Sequence, residues 1–421
     1  MRELLAHRDF RLLLVGQTLS MFGDWTLLLV FGIWAKTLTG SNAIAGLTVF
    51  AMAVPGLLAP FGGVLVDRLP RRTVMITLNL ASALAVGTLW FVEDRRQLWL
   101  LFAVAVWYGF SSVVFNAAIS GLLQAMLPTD LIGRANGLLA TIRQGLRLVG
   151  PLVGAGLFAL AGGAWVAMIN ATTFLLSTLA LLALRHREPA VQRVVVPFRS
   201  ELAAGLLHLW RTPLLRRLVQ TTIMFSLVIG MVEPTVYAVV GDGLHRPPEF
   251  IGVLVSVQGL GAILGGVVVT AVIRRVAEPV LVVIGLLLAA AGAALCAVPL
   301  LPVVLAGFAL VGAGLPVLGV AIATLLQRTT PPPMMGRVAA GYEVIGSVPT
   351  TASIAVGAVL VGLWPYQVII GITALGCAAA AFFLLVGRRA GSAPTGQSDS
   401  GTAPDEGDAQ PAATGADLPG G

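Results

Sequence analysis

The sequence predicts an all-α integral membrane fold: twelve spanning helices arranged as two parallel six-helix halves. Three observations carry this. Hydrophobic residues fill 57% of the 421 positions and charged residues only 11%, where a soluble domain carries roughly a quarter charged residues. Apolar runs recur from Phe10 to Val386, each long enough to cross a hydrocarbon core of about 30 Å. The second half repeats the first at a fixed offset of 203 residues. Helices are the default for such runs because they satisfy their own backbone in lipid.

The N-terminal run, Phe10–Ala35, is too long for a cleaved leader and has no small-residue cleavage site, so it reads as the first helix. Ala43–Val66 follows and ends at the break holding Arg68, Arg71 and Arg72; Thr73–Val92 ends at Arg95 and Arg96. Leu98–Ile119, Ala135–Leu160 and Ala164–Leu184 complete the first half. The second half reads Leu218–Val240, Phe250–Ile273, Pro279–Leu300, Pro302–Leu326, Val338–Leu363 and Pro365–Val386. Between the halves, Phe198–Leu209 places Leu202, Leu206 and Leu209 on one helical face. It reads as an interfacial helix anchored by Trp210, Arg211, Arg216 and Arg217, with a plain solvated linker as the alternative. After Arg389 the chain turns to small residues with acidic charges only, the composition of a disordered cytoplasmic tail. The expected units are therefore 1–184, a linker at 185–217, 218–389, and a tail at 390–421.

Placing both termini in the cytoplasm puts 20 of the 26 Lys/Arg in inner segments and leaves Lys36, Arg95, Arg96 and Arg246 outside. That asymmetry is what the positive-inside rule requires. The repeat lays Gly62-Gly63 on Gly265-Gly266, Arg71-Arg72 on Arg274-Arg275, Leu122-Leu123-Gln124 on Leu325-Leu326-Gln327, and Gly133-Arg134 on Gly336-Arg337. Since each half has an even number of helices, both copies enter from the same side, which gives a parallel repeat with a cleft between the halves.

Composition excludes several function classes. The net charge of +7 is spread among the breaks, so no basic face for nucleic acid forms. Cys296 and Cys377 sit far apart in apolar runs, which gives neither a disulfide framework nor a metal site. The single lysine, Lys36, follows an alanine, so no phosphate-binding Gly-Lys loop exists, and His7, His186, His208 and His245 all fall in breaks. No cofactor, metal or catalytic constellation is expected.

The break after the second helix reads Gly62-Gly63-Val64-Leu65-Val66-Asp67-Arg68-Leu69-Pro70-Arg71-Arg72. It resembles the signature loop of the major facilitator superfamily, Gly-x-Leu-x-Asp-Arg-x-Gly-Arg-Arg, through Gly63, Leu65, Asp67, Arg68, Arg71 and Arg72, with Pro70 in place of the glycine. The resemblance implies the major facilitator fold, alternating access, and a loop that latches the cytoplasmic side in the outward-facing state. The second copy keeps Gly266, Arg274 and Arg275 but has Thr270 in place of the acid, which implies a weaker latch. Gly145, Gly150-Pro151, Gly154 and Gly156 in the fifth helix resemble the Gly-Pro motif of drug:proton antiporters; a packing kink is the alternative reading. Ser20-x-x-Gly23-Asp24-Trp25, together with Pro128 to Gly137, is similar to the branch that holds the bacterial enterobactin exporter and macrolide efflux proteins.

Intramembrane charges are functional candidates because each costs about 2.5–3.5 kcal/mol or more at the bilayer centre. Asp24 and Arg147 fall at the same depth and are expected to pair, with Arg143 four residues from Arg147 on the same face. Asp24 then either carries a proton or substrate cation, or joins the first helix to the fifth. Glu233, before Pro234, is the second candidate for a coupling acid, with a carboxylate at the outer mouth as the alternative; Glu343, six residues after Arg337, is expected to pair locally near the inner face. Trp107, Tyr108, Asn116, Gln124, Phe225, Tyr237, Gln258 and Tyr342 offer sparse polar and aromatic groups for a cleft suited to amphipathic compounds.

The expected protein is a monomeric secondary transporter in the bacterial inner membrane, exporting amphipathic small molecules against protons. An uptake or facilitative carrier is the nearer alternative, and a non-transporting sensor or assembly subunit the more distant one.

Overall fold

The computed structural model describes residues 2–58, 69–185 and 198–391. Eleven of the described helices are long and apolar enough to cross a membrane, and a shorter apolar helix, Asn42–Leu58, falls in the second position. In chain order the first half comprises α1 (Arg8–Thr39), α2 (Asn42–Ala53), α3 (Arg71–Gly87), α4 (Leu98–Met126), α5 (Thr129–Ala161) and α6 (Gly163–Leu182). The second half comprises α7 (Pro213–Ile229, resumed at Val232–Ala238), α8 (Ile251–Val272), α9 (Glu278–Cys296), α10 (Leu301–Thr329), α11 (Met335–Leu360) and α12 (Tyr366–Gly391). Several helices run past the apolar stretch that announces them. α4 gains two turns beyond Ile119, and α5 starts at Thr129 rather than Ala135, because helical hydrogen bonding continues after hydropathy falls.

Local chemistry sets the breaks. Gly40 ends α1 in the left-handed region (φ 72°), its N–H bonded to the Lys36 carbonyl at 2.7 Å. Pro55 stands where α2 tightens into a 3₁₀ turn over Val54–Leu58. α7 is discontinuous because Pro234 has no N–H to give the carbonyl four residues earlier, and the helix breaks there, at Gly230-Met231. Gly230 is free to lie against the Thr350 carbonyl of α11.

Packing repeats with a period of six helices. In the first half α1 meets α5 and α6, α3 meets α4 and α6, and α2 meets α4; in the second, α7 meets α11 and α12, α9 meets α10 and α12, and α8 meets α10. The halves join through α2 with α11 and α5 with α8, pairs that exchange under the same two-fold relation. The helix Phe198–Arg211 forms as expected and packs on α11, with Gly205 against the Arg337 backbone, Leu206 near Gly341, and Leu209 fully buried.

The apolar core is asymmetric. At the end away from the termini, one cluster runs through both halves, from Phe31 and Trp34 to Tyr237, Ile251 and Tyr366. At the end carrying the termini the core is split. One cluster around Phe10, Met75 and Leu122 belongs to the first half, and another around Leu215, Leu286 and Leu325 to the second. The bundle is sealed at one end and parted at the other. Large exposed side chains such as Leu84, Leu160, Leu264, Leu375 and Phe382 cover its outer surface, as lipid contact demands.

Candidate functional site

A central cavity of about 480 Å³ lies between the halves. α1 lines it with Gln17, Ser20, Asp24 and Trp25, α3 with Asn79 and Ser82, and α4 with Tyr108, Ser111, Ser112 and Asn116. α5 adds Arg143, α7 adds Glu233 and Tyr237, and α11 adds Ile354. Helical periodicity builds the polar wall: Gln17, Ser20 and Asp24 are three and four residues apart, as Asn79 and Ser82 are three apart, so each set shares one face. This spacing is the signal by which Gln17, Ser20, Asn79 and Ser82, absent from the expected cleft, were open to detection. Of the residues expected there, Tyr108, Asn116 and Tyr237 line the cavity, and Trp107 supports it by donating its indole N–H to Ser82 Oγ at 3.1 Å. Gln258 and Phe225 line two smaller pockets, and Gln124 and Tyr342 lie off the cavity.

Asp24 accepts the hydroxyl of Tyr108 at 2.5 Å. The Tyr108 ring is held edge-on by Phe31 and Phe174, with centroids 5.8 and 6.4 Å away. The expected pair between Asp24 and Arg147 does not form; among the described residues neither makes a direct ion pair. The reason is rotational. Trp25, not Asp24, is the α1 residue that meets Gly150 of α5, and the adjacent Asp24 is turned about 100° away, toward α4. Arg147 instead lies over the Trp25 ring, 6.0 Å from its centroid, and its electrostatic partner is Glu233 of the opposite half, at longer range than a direct ion pair. Glu233 is open to the cavity, as is Arg143. Glu343 is exposed on α11, off the cavity and without an ion pair among the described residues, so the expected local pairing with Arg337 is absent.

The glycines of α5 divide by role. Gly150 and Gly154 lie against Trp25 and the Thr26 carbonyl of α1, and Pro151 and Ala155 face Gly252 of α8, whereas a Cβ at Gly145 or Gly156 would meet no neighbour within 4 Å. Ser256 of α8 shares its hydroxyl proton between the Gly252 carbonyl of its own helix at 2.9 Å and the Leu148 carbonyl of α5 at 3.2 Å, a link between the halves close to Pro151.

In the signature loop, Gly63, Asp67 and Arg68 lie outside the described residues. Arg71 donates to the Gly121 carbonyl at 3.2 Å, and Arg72 to the Leu181 and Leu182 carbonyls at 2.9 and 3.0 Å. The C-terminal end of a helix favours such a cation. In the second copy, Thr270 donates its hydroxyl to the Val267 carbonyl at 2.7 Å within its own helix.

At the sealed end Lys36 Nζ donates to Asn42 Oδ1, and Asn42 Nδ2 donates to Asp242 Oδ2 of the other half at 3.0 Å. Arg95 closes over the same end through the Leu38 and Thr39 carbonyls at 2.7 and 2.6 Å. Gly46 of α2 lies against Pro234 and Ala358 of the other half, so a small residue lets the halves meet closely there, while Gly357 packs on Met231 within the second half.

A charged cavity between two repeated six-helix halves, open toward one end only, defines a multi-pass membrane transporter. The chain belongs to the Major Facilitator Superfamily, whose family model matches residues 13–238 and 218–410. It is 30% identical over 259 residues to the uncharacterized MFS-type transporter YfiS of Bacillus subtilis, spanning 60% of this chain and 61% of that relative. It is 27% identical over 344 residues to the enterobactin exporter EntS of Shigella flexneri, spanning 79% and 80%. The fold also matches the crystal structure of a bacterial homologue of the iron transporter ferroportin in its inward-facing state. There the TM-score is 0.71 at 18% identity, over 90% of this chain and 98% of that one. Family membership makes this protein a transporter of small molecules rather than an enzyme.

Proposed function

We propose that the chain exports amphipathic small molecules across the bacterial inner membrane against protons, with both termini cytoplasmic. The carrying observation is geometric: Glu233 of α7 is an exposed carboxylate on the wall of a cavity that lies between a core continuous at one end and divided at the other. With cytoplasmic termini this arrangement is inward-facing. Units 1–184 and 218–389 act as rocking halves joined by 185–217, the signature loop latches them in the opposite state, and the tail 390–421 stays cytoplasmic.

Glu233 is the coupling acid in this reading. While ionised it attracts Arg147 of the other half at long range; once protonated it releases that attraction, so the proton and the relative position of the halves are linked. A proton crossing 100 mV supplies about 2.3 kcal/mol, enough to drive a useful substrate gradient. Asp24, held by Tyr108, shapes the substrate wall. Similarity to an enterobactin exporter supports the outward direction.

The test is accumulation of labelled antibiotics or siderophores in cells with and without the gene, in the presence and absence of an uncoupler. Lower accumulation in expressing cells, abolished by the uncoupler, is expected. Higher uncoupler-sensitive accumulation would establish uptake instead, and no difference for any compound would favour a non-transporting role.

A further inference from the structure

We infer that the cavity selects substrates carrying an anionic group, with Arg143 as the subsite for that group; this rests on the cavity being the transport path. Three charged side chains line the cavity: Asp24, Arg143 and Glu233. Asp24 is engaged by the Tyr108 hydroxyl, and Glu233 and Arg147 answer each other across the halves. Arg143 has neither an ion pair nor a hydrogen bond among the described residues, yet it lines the cavity and is exposed to it.

Arg143 stands eight residues past Ala135, where the apolar span of α5 begins, about 12 Å into that span at 1.5 Å per residue. It is therefore inside the bilayer, and a guanidinium does not discharge by losing its proton. While the cavity is open, water answers the charge. Alternating access requires the walls to close on the occupant, which removes that water and leaves a cation that resists closure unless the occupant brings an opposite charge. A planar oxyanion matches the guanidinium fork best, so a carboxylate is the favoured group. The remaining wall, with Met21, Met52, Phe115 and Phe174, takes an apolar or aromatic body. Gln17 of α1 is 5% exposed and its Oε1, an acceptor, has no partner, which suits a donor on the body of the substrate rather than its anionic group.

The experiment compares three probes of one skeleton, 1-pyrenebutyrate, its methyl ester and 1-pyrenebutylamine. Binding to the purified full chain in detergent is followed by energy transfer from tryptophan to pyrene. The carboxylate is expected to bind about tenfold more tightly than the ester, as one charge-assisted contact predicts, and the amine more weakly than either. Arg143→Gln should erase the carboxylate's advantage while ester binding persists, and Arg143→Lys should keep part of it. Equal binding of acid and ester by the unmodified chain overturns the inference without any variant, as does an advantage that survives Arg143→Gln. The transport reading fails separately: if proteoliposomes show no gradient-driven movement of any probe, that reading falls, whereas the binding preference in detergent still decides the Arg143 assignment.

Discussion

Four glycines on α5 offer a test in which one helix supplies its own controls. A Cβ on Gly154 would fall on the Thr26 carbonyl of α1, and one on Gly150 on the Trp25 side chain; at Gly145 and Gly156 it would meet nothing within 4 Å. Alanine gains about 1 kcal/mol of helix propensity at any of the four. At Gly145 and Gly156 that gain stands alone. At Gly150 and Gly154 it is set against overpacking of about 1–3 kcal/mol, because the obstruction is the body of a helix rather than the end of a flexible side chain. The two pairs should therefore separate by about 1–3 kcal/mol, roughly 5- to 150-fold in the unfolding equilibrium. Thermal unfolding of the detergent-solubilised protein, followed by tryptophan fluorescence, reads this as a lowered midpoint for Gly150→Ala and Gly154→Ala and an unchanged or raised one for Gly145→Ala and Gly156→Ala. A common shift for all four would refute the assignment of Gly150 and Gly154 as the α1–α5 contact and leave the motif without a structural explanation.

Tyr108→Phe strips Asp24 of its hydroxyl partner and should destabilise the protein by about 1–3 kcal/mol, with weaker substrate binding; unchanged binding and midpoint would mean the contact is idle. Glu233→Gln should abolish proton-driven export while leaving substrate exchange across proteoliposomes without a gradient, and intact gradient-driven export would remove Glu233 from coupling. Asp242→Ala breaks the hydrogen bond from Asn42 across the sealed end. At about 1 kcal/mol for such a bond, it should raise the fraction opened at that end about fivefold, measured by distance changes between labels on the two halves. An unaltered distance distribution would show that the seal rests on apolar packing alone.

The helices were legible in the sequence because the bilayer imposes a length and a composition on each. The repeat was legible because both copies retain the glycines and arginines at their helix ends. Side-chain partnership was harder to read. Depth along α1 and α5 placed Asp24 level with Arg147, but depth says nothing of rotation, and Trp25 occupies the face that meets α5. The partner of Asp24 was instead Tyr108, recognised as a cleft residue but not as a hydrogen-bond donor to this carboxylate. The break in α7 was foreshadowed by Pro234, whereas the bridge from Lys36 through Asn42 to Asp242 joins residues some 200 positions apart with no local pattern to announce it.

That bridge gives the protein a built-in chemical reporter. Lys36 is the only lysine in the chain, so apart from the N-terminal amine there is no other primary amine for an acylating reagent to find. Its amine is tied to Asn42 while the end is shut. The amine is half-buried there, so an impermeant amine reagent added from that side should acylate it faster when the end opens, in native sequence and without engineered cysteines. A change in labelling rate on adding substrate then reports a change in how far that end is open.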